Sequence, residues 1–265
     1  MIVFPIDQGD PNGGLRQLLG GFHAAKASEK CTAAALAVHG VMTGVRDSEL
    51  RYRLNHLDLV VPDGHPVRWA LNLLYGMKLP DRVYGPTLSL KVCEAAASAG
   101  LPVFFYGSRL SVVERLAQNL SMRFDGLRVA GLQPSRFRTV SPEERDELVN
   151  AIRDSGARIV FFGLGCPRQE VWTYEFGSHL AMPTIAVGAA FDFHAGYLKQ
   201  APVFLQRAGL EWAFRLALEP RRLWRRYLIL NRSFAIAWLG ILLPGVGCIG
   251  TTTGSSLPSC AGSGY

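Results

Sequence analysis

The five cysteines of this 265-residue chain (Cys31, Cys93, Cys166, Cys248 and Cys260) form no Cys-x-x-Cys pair, and none has a histidine at zinc-binding spacing. So odd and scattered a set argues against a disulfide framework and a structural zinc site, and suits a reducing compartment. Long apolar runs are also missing. A bilayer-spanning helix needs about 20 apolar residues, whereas Ser233–Leu243, SFAIAWLGILL, is cut short by Pro244. That segment is expected to lie in an interface or to be buried. The opening MIVFPIDQGDPNGG has no basic stretch leading into a long apolar one, so no secretory leader is expected. No repeat at solenoid spacing appears. Apolar residues make up 49 % and charged residues 18 %, which describes a folded chain.

Charge is present but unevenly placed. The chain carries a net +7, and residues 207–232 alone hold seven arginines against two glutamates, a net +5. Arg215, Arg222, Arg225 and Arg226 are spaced to share one face of a helix. Trp212, Phe214, Leu216, Leu218, Trp224 and Tyr227 lie among these arginines. Guanidinium forks match phosphate oxygens in pairs, and the interleaved aromatics suit an interface. A pyrophosphate held at a membrane surface is one reading; a solvated face whose arginines pair with carboxylates elsewhere is the other.

Four domains of behaviour follow from the pattern. Residues 1–31 are glycine-rich and irregular. Residues 32–195 read as an α/β core of Rossmann-like, mainly parallel sheet with helices on both faces, with room for a subdivision near 90–100. Strands are predicted at 32–39, 57–61, 102–106, 127–131, 158–163 and 183–188, and helices at 66–75, 109–122, 142–155 and 167–180, with another helix capped by Asp47. Ser141-Pro142-Glu143-Glu144 reads as a helix start. Residues 196–243 form a helical, arginine-rich appendage, and residues 244–265 a Gly/Ser/Thr tail expected to be disordered.

In a parallel sheet, ligands bind beyond the carboxyl ends of the strands, where Gly107, Gly131, Gly163, Gly165 and Gly188 fall. Pro62-Asp63-Gly64 places a carboxylate on a turn at such an end. Asp63 is either a general base towards a hydroxyl or an ordinary turn aspartate bonded to its own backbone. Gly163–Glu170, GLGCPRQE, joins a strand to a helix. Its glycines and helix N-terminus could receive a diphosphate, with Arg168 adding charge and Gln169 reading a base or sugar edge; a plain turn is the alternative. Gly188–Gly196, GAAFDFHAG, offers Asp192 and His194, too few ligands for a metal. His39, read at the end of the first strand, is a core histidine or a ligand contact. GVGCIG at 245–250 matches a dinucleotide fingerprint by chance, since no βαβ unit surrounds it.

Taken together, LVVPDGHPVRWAL, DRVYG, GLGCPRQEVW, VGAAFDFHAGYLKQAP and GLEWAFRLALEPRRLWRRY resemble, in order, the WecG/TagA/CpsF glycosyltransferases over roughly residues 32–232. The resemblance implies an inverting transferase that moves a sugar, N-acetylmannosamine-type or another hexose, from a UDP-sugar to an acceptor on undecaprenyl pyrophosphate. It implies Asp63 as the base and Arg82 as an arginine steadying the leaving diphosphate. His39, Gly107, Gly163, Gly165, Arg168, Gln169, Gly188 and Asp192 are then expected at the nucleotide-sugar site, and Arg215, Arg222 and Arg225 at the lipid pyrophosphate. The Asp-x-Asp motif of metal-carrying nucleotide-sugar enzymes is absent, so neither a metal nor another cofactor is expected. Three positions depart from the family pattern: Ala35 and Ala37 stand where Thr and Asn are usual, and Thr87 where Asp is usual.

The expectation is a cytoplasmic protein, peripheral on the inner face of the membrane, whose partners are the donor, the lipid-linked acceptor and an anionic membrane surface. A homo-oligomer is compatible with this and nucleic acid is not expected. A non-catalytic polysaccharide-assembly adaptor that binds a nucleotide sugar or a lipid pyrophosphate is the alternative; a basic nucleic-acid-binding domain is a weaker third.

Overall fold

A computed structural model describes residues 30–221 apart from Thr139, together with Leu223, Trp224, Tyr227 and Phe234. The glycine-rich start and the Gly/Ser/Thr tail lie outside the described residues. The described elements run β1 (Thr32–Leu36), α1 (Val38–Arg46), α2 (Ser48–Asn55), β2 (Leu59–Pro62), α3 (His65–Tyr75) and α4 (Gly85–Ala99). They continue with β3 (Val103–Gly107), α5 (Leu110–Arg123), β4 (Val129–Gln133), α6 (Pro142–Asp154), β5 (Ile159–Gly163), α7 (Arg168–Leu180) and β6 (Thr184–Ala186). Three short helices follow: α8 (Ala190–His194), α9 (Val203–Arg207) and α10 (Glu211–Leu218).

The six strands form one sheet in the order β2-β1-β6-β5-β3-β4, every neighbouring pair parallel. This is the expected α/β architecture. Strands such as IVFFG and VFFYG are buried at every position, because helices cover both faces and each alternate side chain has a dry side to enter. One face gathers Val61, Val103, Phe105, Phe161 and Ile185 under α4, α5 and α8. The other gathers Phe104, Tyr106, Val160 and Phe162 under α6 and α7, and Leu36 and Val60 under α2. Residues 90–99 lie inside α4, whose Val92, Cys93 and Ala96 belong to the first of these cores.

Local signals set the element ends. Asp47 accepts from the N–H groups of Glu49 and Leu50 and so starts α2. Ser141 and Glu144 form a reciprocal capping box at α6. β4 begins at Val129, two residues beyond the predicted start. Pro167 caps α7 from just outside it rather than occupying its first turn. β1 ends at Leu36, so His39 sits in the first turn of α1 instead of closing a strand. Cys31 and Cys93 are free thiols, and burial pushes the Cys93 thiol up to about 12. No helix among the described residues is long and apolar enough to cross a membrane.

Candidate active site

The carboxyl end of β2 carries Asp63, held by backbone on two sides. Its N–H donates to the Leu36 carbonyl at 3.1 Å, extending the β1–β2 pairing by one residue. The Val83 N–H donates to the Pro62 carbonyl at 2.9 Å, which draws the loop 81–84 against the strand end. Arg82 is therefore beside Asp63: its Nη1 donates to the Asp63 carbonyl at 3.2 Å.

The Asp63 side chain faces the start of α4. Its Oδ1 accepts the Gly85 N–H at 2.7 Å. A Cβ on Gly85 would stand 3.0 Å from the Val187 carbonyl oxygen, a tight contact, and 3.6 Å from Asp63 Oδ1. A helix N-terminus favours a carboxylate. Removal from water acts more strongly, and the Glu211 carboxylate adds to it; against the Gly85 N–H, Arg82 and Arg215, which pull the other way, the net result is an Asp63 carboxyl raised to about 6. A carboxyl near 6 is a better proton acceptor at neutral pH than an ordinary aspartate.

A cleft of about 120 Å³ opens over this carboxylate, lined by Ala37, His39, Asp63, His65, Arg82, Tyr84, Trp212 and Arg215 among others. Core and appendage build it together. Gly209 packs against α3, where a Cβ would come within 2.8 Å of the Trp69 ring. Glu211, only 7 % exposed, accepts from the Tyr84 hydroxyl at 2.8 Å and pairs with the Arg82 guanidinium. That guanidinium lies 4.1 Å above the Tyr84 ring. Arg215, one turn further along α10, stands 5.5 Å from the Phe193 ring. His65 is buried with its Nδ1 unpartnered; burial, and then Arg82, lower its pKa. A second cavity of about 360 Å³ shares His65, Arg82 and Tyr84 as a wall and is lined by Thr87, Lys91 and Arg207.

The structure thus brings His39, Asp63, Arg82 and Arg215 into one cleft. Thr43 donates its hydroxyl to the His39 carbonyl at 2.7 Å. The other predicted nucleotide-sugar residues lie at the ends of β3 and β5, in the turn after β6 and in the first turns of α7 and α8, and do not line this cleft. Two of their glycines serve packing. A Cβ on Gly107 would sit 2.4 Å from the Gly163 carbonyl oxygen, and one on Gly163 2.5 Å from the Phe191 ring. Gln169 is 2 % exposed. Its Oε1 accepts the N–H groups of Gly165 and Gly188 at 3.2 and 3.1 Å, and its Nε2 donates to Glu170. Instead of presenting an amide edge, it braces the two loops that follow β5 and β6. Gly165 keeps a positive φ of 77° with open space around it. Arg168 donates back to the Leu164 carbonyl at 3.3 Å. Asp192 is half-buried in α8, its carbonyl accepting from Tyr197 and Leu198. Arg222 and Arg225 lie outside the described residues. No three histidine, cysteine or acidic side chains among the described residues converge as a metal site.

Gly85, Tyr84 and Glu211 are site residues that the sequence reading did not select. The DRVYG and GLEW stretches contained them, but nothing in spacing alone joins positions more than 120 residues apart.

A doubly covered parallel sheet, with a recessed carboxylate and arginines at its strand ends, is an α/β Rossmann-like architecture. The model of the WecG/TagA/CpsF family of glycosyl transferases matches residues 3–244, and the chain belongs to that family. Membership places the protein with glycosyltransferases of cell-surface polysaccharide synthesis.

Proposed function

We propose that this protein transfers a sugar from a UDP-sugar to the sugar hydroxyl of an undecaprenyl-pyrophosphate-linked acceptor, inverting the anomeric centre, at the inner face of the membrane. The observation that carries this reading is the Asp63 carboxylate, recessed in a cleft with Arg82 and Arg215. Asp63 takes the proton of the acceptor hydroxyl. The hydroxyl oxygen bonds to the anomeric carbon as the bond from that carbon to the diphosphate oxygen breaks, and UDP leaves with the electron pair. Negative charge grows on the diphosphate, and fixed positive groups stabilise it most where water is excluded. Arg82 and Arg215 take that role, so the reaction needs no metal. The open, positive-φ turn at Gly165 and the α7 N-terminus are suited to the nucleotide.

The appendage supports the membrane part of the reading. Val203, Phe204, Leu210, Trp212 and Leu218 are exposed on α9, α10 and the turn between them, beside a segment rich in arginine. The adaptor reading draws on one observation: Ala37 lines the cleft and supplies no polar side chain. Incubation with a panel of UDP-sugars, a lipid-linked acceptor and EDTA decides between them. The transfer reading expects UDP release that EDTA leaves unchanged. An adaptor releases none, and release abolished by EDTA would overturn metal independence.

A further inference from the structure

We infer that Glu211 is a positioning residue for the reaction: its carboxylate, delivered by the appendage, holds Arg82 and Tyr84 beside Asp63, so that the site is complete only when α10 is docked. The inference rests on the transfer reading above.

A carboxylate that is 7 % exposed is costly to bury unless it is paired and hydrogen-bonded. Both Glu211 oxygens are so used: Oε2 by the Arg82 guanidinium and Oε1 by the Tyr84 hydroxyl at 2.8 Å. Arg82 is then fixed from three directions, by Glu211, by the Asp63 carbonyl at 3.2 Å and by the Tyr84 ring at 4.1 Å. A long side chain held this way has lost its rotamer freedom before substrate arrives, which is what preorganised charge stabilisation requires. The contact spans 129 residues of sequence, so it reports docking of the appendage on the core. The same helix places Arg215 four residues on, in the same cleft. Glu211 also offsets the charge of Arg82, so the guanidinium does not simply capture the Asp63 carboxylate.

The groups facing Asp63 are the Gly85 N–H, Arg82, Glu211 and Arg215, with His39, His65 and Tyr84 around the same cleft. Glu211→Gln in the full chain removes one negative charge from this set and leaves both arginines. The expected result is a kcat about 10- to 100-fold lower, the scale of a misplaced reacting group, with a smaller change in KM for the UDP-sugar. The acid limb of the pH–rate profile moves to lower pH, and so does the titration of Asp63 followed by carboxylate 13C NMR. A mere strut would slow turnover by the same factor at every pH; an unmoved limb and titration, or a kcat within twofold of wild type, overturns the inference. Should Glu211→Gln fail to fold by circular dichroism, Tyr84→Phe removes one half of the clamp. A loss of about 5- to 10-fold in kcat is then expected, the scale of one hydrogen bond, and an unchanged kcat overturns the inference. A wild-type protein that releases no UDP from any donor instead defeats the transfer reading itself.

Discussion

Opposing forces meet at the Asp63 carboxyl. Its position next to a helix N-terminus and two arginines favours the charged form, yet desolvation outweighs them and the carboxyl rises to about 6. The stability consequence follows from the sign of the shift. A carboxyl whose folded pKa exceeds its unfolded value of 3.8 binds its proton more tightly in the native state. The stability tied to it is therefore full below about pH 4 and lost as pH rises through about 6. Asp63→Asn keeps an acceptor for the Gly85 N–H and carries no charge. Its Tm is expected to exceed that of wild type at pH 8, and the difference should vanish near pH 4 in thermal scans. An equal Tm at both pH values would mean that the carboxylate is not desolvated. The residue that the site needs is thus one that the fold would do better without, as buried functional groups commonly are.

At the scale of elements, the ends of the strands divide into two kinds of glycine. Gly165 has open space around it, whereas Gly85, Gly107 and Gly163 pack closely against backbone or a ring. Sequence places Gly107, Gly163 and Gly165 at strand ends but cannot sort them, because packing distance between β3 and β5 is a tertiary quantity. Gly107 has a φ of 141° and meets backbone, which cannot swing aside. Gly107→Ala is expected to cost about 1–3 kcal/mol as overpacking, lowering Tm by roughly 2–4 °C per kcal/mol at this chain size. An unchanged Tm would show that the β3–β5 contact is looser than described. The strands themselves were legible, since IVFFG and VFFYG have nowhere to go but a doubly covered sheet, and so were the caps at Asp47 and Ser141. His39 was misplaced because TAAALAVH is apolar without a break, and only the pairing of Leu36 with Pro62 shows where the ladder stops. Gln169 was legible as important but not as a brace, because its partners Gly165 and Gly188 lie 4 and 19 residues away on two separate loops.

For the whole molecule, the sheet carries Asp63 at the end of β2, and the appendage lines the same cleft with Glu211, Trp212 and Arg215. The exposed aromatic and aliphatic side chains of the appendage and its net positive charge lie in the same part of the chain, and the proposed contact with an anionic bilayer rests on that coincidence. Val203 and Phe204 are 62 % and 68 % exposed and do not line the Asp63 cleft. Replacing both by alanine is expected to weaken binding to anionic vesicles by about 10- to 100-fold, given roughly 1.5–3 kcal/mol for burying one such side chain. UDP release from the donor in the presence of a water-soluble acceptor should be unaffected. Sedimentation with vesicles measures this, and unaltered binding would move the membrane contact elsewhere on the chain.

The most direct measurement is UDP release, from the donor that wild type accepts, by wild type and by Asp63→Asn across pH 5–8. The account predicts wild-type release rising through about pH 6 to a plateau, and release by Asp63→Asn lower by about 10²–10⁴-fold, the worth of a general base. Equal release by the two proteins at pH 8 would contradict it.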